Sequence, residues 1–273
     1  MALTVNTNMA AMSAANTLNN TQGSLSSTLS RVSSGMRITK AADDAAGAAV
    51  AQNLSTTARS GKQAIRNAND GISVIQTAEA ASKEVLSILD RVRELAVQSS
   101  SDTLEDTERD YIQTETAALL SEVDRIADSN EFNGISLSNG DTSSLTVQVG
   151  VDGTTNSQIA ITLGDLNADA LSVDAINLST ASAARTAIGT VDTAIDSVNS
   201  IRATYGATQN RLGSAINNMS TYVESLSSAA SQIQDADYAH ETAEMTRLQV
   251  MQQAGVAALG QARGMNQSVL SLL

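Results

Sequence analysis

Residues 188–233 read IGTVDTAIDSVNSIRATYGATQNRLGSAINNMSTYVESLSSAASQI. Apolar side chains recur in this stretch at alternating steps of three and four residues, with Arg202 and Gln209 at the two polar places in the register. The apolar positions are Ile188, Val191, Ile195, Val198, Tyr205, Leu212, Ile216, Met219, Val223, Leu226, Ala230 and Ile233. Such a heptad pattern predicts a long coiled-coil helix.

The length of this helix excludes a compact globule. At ~1.5 Å per residue the stretch is about 65–70 Å long. A globule of this chain length has a diameter of only about 50 Å. We therefore expect an elongated molecule in which the long helix packs against other helices.

Composition excludes several classes of protein. Apolar residues make up 42% of the 273, which suffices for a core, but there is one Phe and no Trp. The chain has no proline to interrupt helices and no cysteine for disulfides or thiolate metal sites. A net charge of −13 argues against nucleic acid as a partner. The first residues do not resemble a signal peptide, and no run approaches a membrane span, so neither is expected.

Both ends of the chain are nearly free of charge. The first charged side chain is Arg31, and Arg263 is the one charged residue from Leu248 onward. Each end carries an amphipathic helical pattern, so we predict two terminal helices that pair and self-associate, because soluble monomers rarely expose so much apolar surface. The predicted seam consists of Val5, Met9, Met12, Leu18, Leu25, Leu29, Val32, Leu248, Met251, Leu259, Ala262, Val269 and Leu270.

Between the ends we expect two more helices and a hairpin. One helix is predicted from about Asp44 to Ser99, and Asp102 or Thr103 is predicted to cap an antiparallel neighbour. Residues 145–151 and 159–163 alternate apolar and polar around Asp152-Gly153, which predicts a β-hairpin. Asn133-Gly134 and Asn139-Gly140 indicate further turns. The predicted fold is mainly α: an elongated antiparallel coiled-coil bundle with paired terminal helices and a small hairpin region in mid-chain.

No pattern of catalytic or metal-binding residues stands out. His240 precedes Glu241, but the second histidine of a zinc-protease helix is missing. Asp43-Asp44 are better explained as charges at a helix N-terminus than as an acid/base pair. We therefore expect no enzyme, no cofactor and no metal.

Several motifs resemble a known family. Residues 31–38, RVSSGMRI, and 41–47, AADDAAG, are followed by 90–98, DRVRELAVQ, by Phe132-Asn133-Gly134, and by a tail from residue 233 to the end. In this order they are similar to the two end regions of bacterial flagellin. The resemblance spans about residues 1–135 and 185–273 and implies a secreted filament subunit, exported without a cleaved signal peptide, that polymerises with itself for swimming motility.

The resemblance also implies a domain organisation and partners. Residues 1–42 with 234–273 would form the inner-tube helix pair, 43–131 with 180–233 the helical rod, and 132–179 its outer segment. About fifty residues replace the outer variable domains of larger flagellins. Implied partners are hook-associated junction and cap proteins and an export chaperone, with no nucleic acid and no membrane insertion.

The resemblance implies a receptor of an animal host as a further partner, on the basis of one motif. In flagellins that alert animal immunity, the helix with the Arg-Val-Arg-Glu-Leu sequence binds a toll-like receptor. The matching positions are Arg91, Leu95 and Gln98, with Glu115 on the neighbouring helix. The alternative is that these side chains serve subunit packing.

Two other classes share parts of the pattern. A hook–filament junction protein resembles flagellin at both ends but would assemble only into small rings. A signalling coiled coil such as a chemoreceptor hairpin shares the Ala- and Ser-rich heptads but would lack the central strands and the charge-free termini.

Overall fold

The structure is a computed structural model that describes residues 7–270, with side-chain environments for residues 7–264. In this part of the chain the helices are α1 (Met9–Ser34), α2 (Ala45–Ser99), α3 (Asp106–Ser129), α4 (Ala181–Gln234) and α5 (Tyr238–Leu270). The strands are β1 (Glu131–Phe132), β2 (Ile135–Ser136), β3 (Ser144–Gln148) and β4 (Gln158–Thr162). The predicted mainly helical fold with a small hairpin region is confirmed.

The chain forms two compact units. One combines the residues up to Thr56 with those from Ser225 onward, and the other is Thr57–Glu224. The second unit contains α3, all four strands and most of α2 and α4.

One core of the second unit joins α2, α3 and α4. Val92 of α2, Val123 of α3 and Val191 of α4 are each fully buried in this cluster. The predicted antiparallel arrangement of α2 and α3 is confirmed, because Ser99 lies beside Arg109 and Arg91 beside Glu115. Heptad positions along α4 thus face a real helical partner, as the pattern indicates.

An irregular segment closes this core. Six apolar residues between β4 and α4 are buried in this core although they belong to no regular element: Leu166, Ala168, Leu171, Val173, Ile176 and Leu178. Gln113 of α3 holds the segment by donating to the carbonyl of Ile176 (3.2 Å) and accepting from the N–H of Leu178 (2.6 Å). Buried backbone groups must be hydrogen-bonded, and here the Gln113 side chain pairs a backbone carbonyl and a backbone N–H that would otherwise be paired within a sheet.

Two hairpins lie between α3 and α4. In the first, Asn133 (φ 52°) and Gly134 (φ 77°) connect β1 to β2, and both left-handed conformations match a tight hairpin turn. In the second, β3 and β4 pair antiparallel with Leu145 opposite Ile161 and Val147 opposite Ile159. These four side chains pack into a second core with Tyr205 and Leu212 of α4.

The second hairpin differs from its prediction at the turn. The N–H groups of Val149 and Gly150 both donate to the carbonyl of Ser157, at 2.9 and 3.0 Å. The β3–β4 hydrogen-bond ladder therefore ends at Gln148. The connection between the two strands includes a turn of 3₁₀ helix, Thr155–Ser157, and is longer than the predicted Asp152-Gly153 turn.

The predicted start of α3 is wrong. The helix begins after Glu105 and not after Asp102 or Thr103, and the N–H of Glu105 donates to Glu108 Oε2 at 3.1 Å. The loop before it is held by Arg109, which is buried (5% exposed) and donates to the carbonyls of Ser99, Ser101 and Leu104. These hydrogen bonds hold residues 99–104 in an irregular loop, and the helix begins at residue 106.

We expect stability to fall at high pH because of Tyr205. Its side chain is fully buried, its hydroxyl accepts a hydrogen bond from the N–H of Gly164 (3.1 Å), and burial raises its pKa. The unfolded chain therefore ionises first, so the contribution of Tyr205 is present below a pH of about 10 and is lost as pH rises through the folded pKa. Urea unfolding between neutral pH and pH ~11 gives the free energy of unfolding of the wild type and of Tyr205→Phe. The difference between these two free energies should narrow as pH rises. A constant difference contradicts the assignment.

Alanine at two helical glycines should have opposite effects. A Cβ at Gly61 would lie 2.5 Å from Val223 Cγ2, whereas nothing lies within 4 Å of one at Gly206. We expect Gly61→Ala to lower the free energy of unfolding by about 1–3 kcal/mol through overpacking. Gly206→Ala should raise it by about 1 kcal/mol, since alanine favours the helix. Thermal unfolding followed by circular dichroism compares them, and equal shifts would contradict the close α2–α4 approach.

Candidate assembly interface

The first helix has well-defined ends. Asn8 caps α1, its Oδ1 accepting from the N–H of Ala11 at 3.0 Å. The helix ends at Gly35, whose φ of 69° is the left-handed conformation that glycine adopts without steric cost. Arg31 lies in the last turn, where a positive charge is favoured by the helix dipole.

Helices α1 and α5 pair antiparallel. At one end, Asn8 Nδ2 donates to the carbonyl of Ala262 at 2.9 Å. At the other, Arg31 Nη1 lies 3.4 Å from Oε1 of Glu241, which is buried. Between them Leu18 packs over Gly255, where an added Cβ would lie 3.3 Å from Leu18 Cδ1. The predicted pairing of the terminal helices is confirmed.

The side chains buried in this pair are partly polar. Thr21 and Thr28 are 7% and 5% exposed, and Leu248 of α5 is 4% exposed. The buried Thr21 hydroxyl is hydrogen-bonded, because its Oγ1 donates to the carbonyl of Thr17 at 2.9 Å. The sequence reasoning missed both threonines because it followed apolar residues only, although their spacing of seven residues was a usable signal.

The predicted seam residues divide into two groups. Leu248 is buried, and Leu18, Leu25, Val32, Leu259 and Ala262 are half-buried. Met9, Met12, Leu29 and Met251 remain exposed, at 66%, 56%, 55% and 40%. Val250 and Val256 of α5 are exposed as well, at 60% and 57%. Val5 lies outside the described residues, and the side chains of Val269 and Leu270 do too. One chain therefore covers only part of its apolar terminal surface.

Backbone hydrogen bonds join the two segments that connect these helices to the rest of the unit. The N–H of Arg37 donates to the carbonyl of Gln234 at 2.7 Å, and the N–H of Ala236 donates to the carbonyl of Gly35 at 2.9 Å. Met36 and Asp235 form an isolated antiparallel bridge between them.

The RVSSGMRI-AADDAAG motif forms this joint and the start of α2. Hydrogen bonds from the N–H groups of Lys40 and Thr39 hold the pKa of Asp43 below its usual value. Asp44 caps α2 through its Oδ1, which accepts from the N–H of Gly47 at 2.8 Å. The two carboxylates therefore serve helix entry and turn closure.

His240 and its polar neighbours line a small cleft. His240 lies at the rim of a cleft of about 340 Å³, beside the Arg31–Glu241 pair. Within residues 7–264, no three His, Asp or Glu side chains are grouped to hold a metal ion. No helix in the described part of the chain is long and apolar enough to cross a membrane.

The four positions at which the resemblance implies receptor contact lie on neighbouring helices in the second unit. Arg91 bridges Glu115 at 2.9 Å and Glu94 at 3.1 Å, and these hydrogen bonds raise the pKa of its guanidinium. Gln98 is exposed. Leu95 is only 2% exposed and packs into the α2–α3–α4 core. Three of the four side chains are thus presented at the surface, and the fourth supports them from inside.

Comparisons with known proteins agree with this architecture. Residues 5–143 match the bacterial flagellin N-terminal helical region, and residues 188–273 match the bacterial flagellin C-terminal helical region. The 33 kDa core protein of the flagellar filament of Treponema phagedenis is 38% identical over 285 residues, covering 98% of this chain and 99% of that protein. A flagellin of Bacillus subtilis strain 168 is 38% identical over 303 residues, covering 98% and 99%.

A solved structure supports the fold over part of the chain. The crystal structure of Bacillus cereus flagellin has a TM-score of 0.50 and 31% sequence identity, covering 56% of this chain and 88% of that one. Both end regions match the family models, the relatives are similar over nearly their full length, and the terminal helices pair as the motifs imply. The chain belongs to the bacterial flagellin family.

Proposed function

We propose that this chain, a structural subunit of the flagellar filament for swimming motility, polymerises through the exposed apolar faces of α1 and α5. The observation that carries the proposal is the exposure of six large apolar side chains on two helices: Met9, Met12, Leu29, Val250, Met251 and Val256. Soluble monomers rarely keep so much large apolar side-chain surface in water. Burial against further copies removes it, and contacts that do not close into a ring extend into a helical filament.

The distribution of charged residues along the chain supports an assignment of its parts to the inside and the outside of the filament. The inner tube would comprise residues 1–42 and 234–273, which have few charges to desolvate when they pack against copies of themselves. Residues 43–131 with 180–233 would form the surrounding rod, and 132–179 its outer segment. Most of the carboxylates lie in these two parts and would keep the filament soluble.

Seeded polymerisation tests the proposal. Purified full-length chain is added to sonicated filament fragments and examined by negative-stain electron microscopy. We expect long filaments, and a chain that lacks the first forty and the last forty residues should not elongate the seeds. Short rings would favour a hook–filament junction protein, but the relatives named above are flagellins and a filament core protein. A truncated chain that forms native tubes would contradict the role of the terminal helices.

Export and accessory partners extend the same proposal. The subunit would leave the cell unfolded and without a cleaved signal peptide, aided by an export chaperone, and would add to the filament between junction and cap proteins. A chain with no cysteine and no proline suits this route, because neither disulfides nor slow proline isomerisation has to be undone. An intact mass of filament protein equal to that of the full sequence, with or without Met1, is expected, and a mass lacking a longer N-terminal segment would contradict uncleaved export. No catalytic step takes part in this function.

We further propose that the monomer activates a toll-like receptor through Arg91 and its neighbours. Arg91 and Arg93 are both about half exposed, but Arg91 pairs with Glu115 of α3 whereas Arg93 pairs with Asp192 of α4. Arg93→Ala is therefore a matched control. We expect Arg91→Ala to reduce the response of reporter cells on the order of tenfold, as removal of an interface anchor does. Leu95→Ala should weaken the response too, through the packing beneath the site. No response to monomer, or an equal loss with Arg93→Ala, would refute the assignment.

A further inference from the structure

Two asparagine–glycine pairs occur in the second unit, one at the tip of the first hairpin and one in the loop that follows it. Asn133-Gly134 connects β1 to β2, and Asn139-Gly140 precedes β3. Asparagine followed by glycine is prone to lose its side-chain amide, because glycine has no Cβ to hinder attack by its backbone nitrogen. The two pairs have different surroundings, so the structure distinguishes them.

The first pair is exposed, and its reacting groups are not engaged. Asn133 and Gly134 are both exposed and lie in the turn. Within residues 7–264, neither the carboxamide of Asn133 nor the N–H of Gly134 makes a hydrogen bond. The hairpin that carries them has two residues in each strand, and so short a ladder opens readily. Rotation of Asn133 into the conformation for attack therefore breaks no hydrogen bond of its side chain.

The second pair is held in place. Asn139 is half-buried, its Oδ1 accepts from the N–H of Asp141 at 3.1 Å, and its Nδ2 donates to Asp141 Oδ2 at 2.8 Å. Its backbone carbonyl accepts from Nδ2 of Asn167 at 3.0 Å. Gly140 lies against the carboxylate of Asp165, which an added Cβ would overlap. Attack on the Asn139 side chain has to break these bonds first, and its product places a second carboxylate beside Asp141.

We propose that Asn133 is a site of spontaneous deamidation and that Asn139 is protected from it. Solvent hydroxide removes the N–H proton of Gly134, and the nitrogen attacks Cγ of Asn133. The new N–Cγ bond closes a succinimide ring, and the Cγ–Nδ2 bond breaks to release ammonia. Water then opens the ring at either carbonyl, giving aspartate or isoaspartate at this position. The overall change converts an amide and water into a carboxylic acid and ammonia, without a redox step.

The isoaspartate product alters the hairpin more than the aspartate product does. In isoaspartate the main chain runs through Cβ and Cγ, which lengthens the loop and disturbs the turn that pairs Phe132 with Ile135. Phe132 packs partly buried against the second core. Both products add a negative charge at the exposed tip. A chain that has aged in solution therefore differs covalently from a newly made one at this hairpin.

Peptide mass spectrometry of the full-length chain, incubated at mildly alkaline pH, tests the proposal. Trypsin releases residues 126–185 as one peptide, since no Lys or Arg lies between Arg125 and Arg185. Both asparagines are on this peptide, so each sample contains its own reference, and fragment ions locate the amide-to-acid mass change. Samples taken at the start correct for deamidation during digestion. A parallel incubation in concentrated urea gives the two rates in the unfolded chain.

We expect Asn133 in the folded chain to lose its amide at least about tenfold faster than Asn139, whose hydrogen bonds must break before it reacts. In urea the two rates should become similar. Asp141→Ala removes the acceptor of Asn139 Nδ2, so it should raise the Asn139 rate roughly threefold and leave the Asn133 rate unchanged. Asn133→Gln should abolish the reaction at the hairpin, because glutamine closes its larger ring far more slowly, and should leave the Asn139 rate unchanged.

Three results would overturn the proposal. Equal rates at the two sites in the folded chain would mean that the turn restrains Asn133 as firmly as hydrogen bonds restrain Asn139. The same ratio of rates in urea as in water would assign the difference to the neighbouring residues in sequence. An Asn139 rate that Asp141→Ala leaves unchanged, with the circular dichroism of wild type, would show that the side-chain bonds do not protect it. The wild-type comparison requires no substitution, so it decides the matter even where a variant fails to fold.

Discussion

Aspartate at Leu29 and Val256 is expected to abolish filament formation and leave the monomer folded. Both side chains are more than half exposed in the single chain, at 55% and 57%, so the substitutions remove no intrachain core. In a filament that buries these faces, each subunit would have to desolvate two unpaired carboxylates, at a cost of several kcal/mol. Sedimentation after seeding measures polymer, and far-UV circular dichroism measures the helix content of the monomer.

The matched control adds the same charge elsewhere. Thr154→Asp with Asn156→Asp places two carboxylates at exposed positions of the β3–β4 connection, and this variant should polymerise like wild type. Filaments of normal length from the Leu29/Val256 variant would show that these faces of α1 and α5 stay in water in the assembly.

The second large effect is expected at Arg109. Its guanidinium is 5% exposed and binds three carbonyl oxygens of the α2–α3 loop. Arg109→Ala leaves those carbonyls without their donor and opens a cavity, so we expect the free energy of unfolding to fall by about 3 kcal/mol. Arg125→Ala on the same helix removes only an exposed pair with Glu122 and should cost less than about 1 kcal/mol.

Urea unfolding of the two variants under the same conditions makes the comparison. The Arg109→Ala midpoint should fall well below that of Arg125→Ala with little change in slope. Equal midpoints would mean that the loop carbonyls are satisfied by water and that Arg109 does not organise the turn.

The long helices could be predicted from the sequence because their periodicity is continuous. The heptad positions of residues 188–233 all lie within α4, and the Asp44 cap places the start of α2 correctly. Periodicity is local information, and it succeeds where each turn of helix meets the same partner.

Features that depend on distant residues could not be predicted in the same way. The loop before α3 is held by Arg109, which reaches back to it, and residues 166–178 form buried irregular structure through Gln113. Neither segment has a period to detect. At the interface, an apolar pattern marks α1 and α5 as amphipathic but does not say which apolar side chains face the partner helix. Thr21 and Thr28 take that place, and Met9 and Met12 do not.

The joint between residues 35–37 and 234–236 also bears on how the sequence can vary. Two of its hydrogen bonds are made by main-chain atoms and do not depend on the side chains at these positions. Two more are made by side chains, from Arg37 Nη2 to the carbonyl of Ile233 at 2.7 Å and from Gln234 Nε2 to Met36 Sδ at 3.0 Å. Gly35 is a separate case, because its φ of 69° is strained for any residue with a Cβ. Substitution at Arg37 or Gln234 should therefore loosen this joint by one side-chain bond, whereas substitution at Gly35 should strain the backbone itself, at a position that carries no side chain at all.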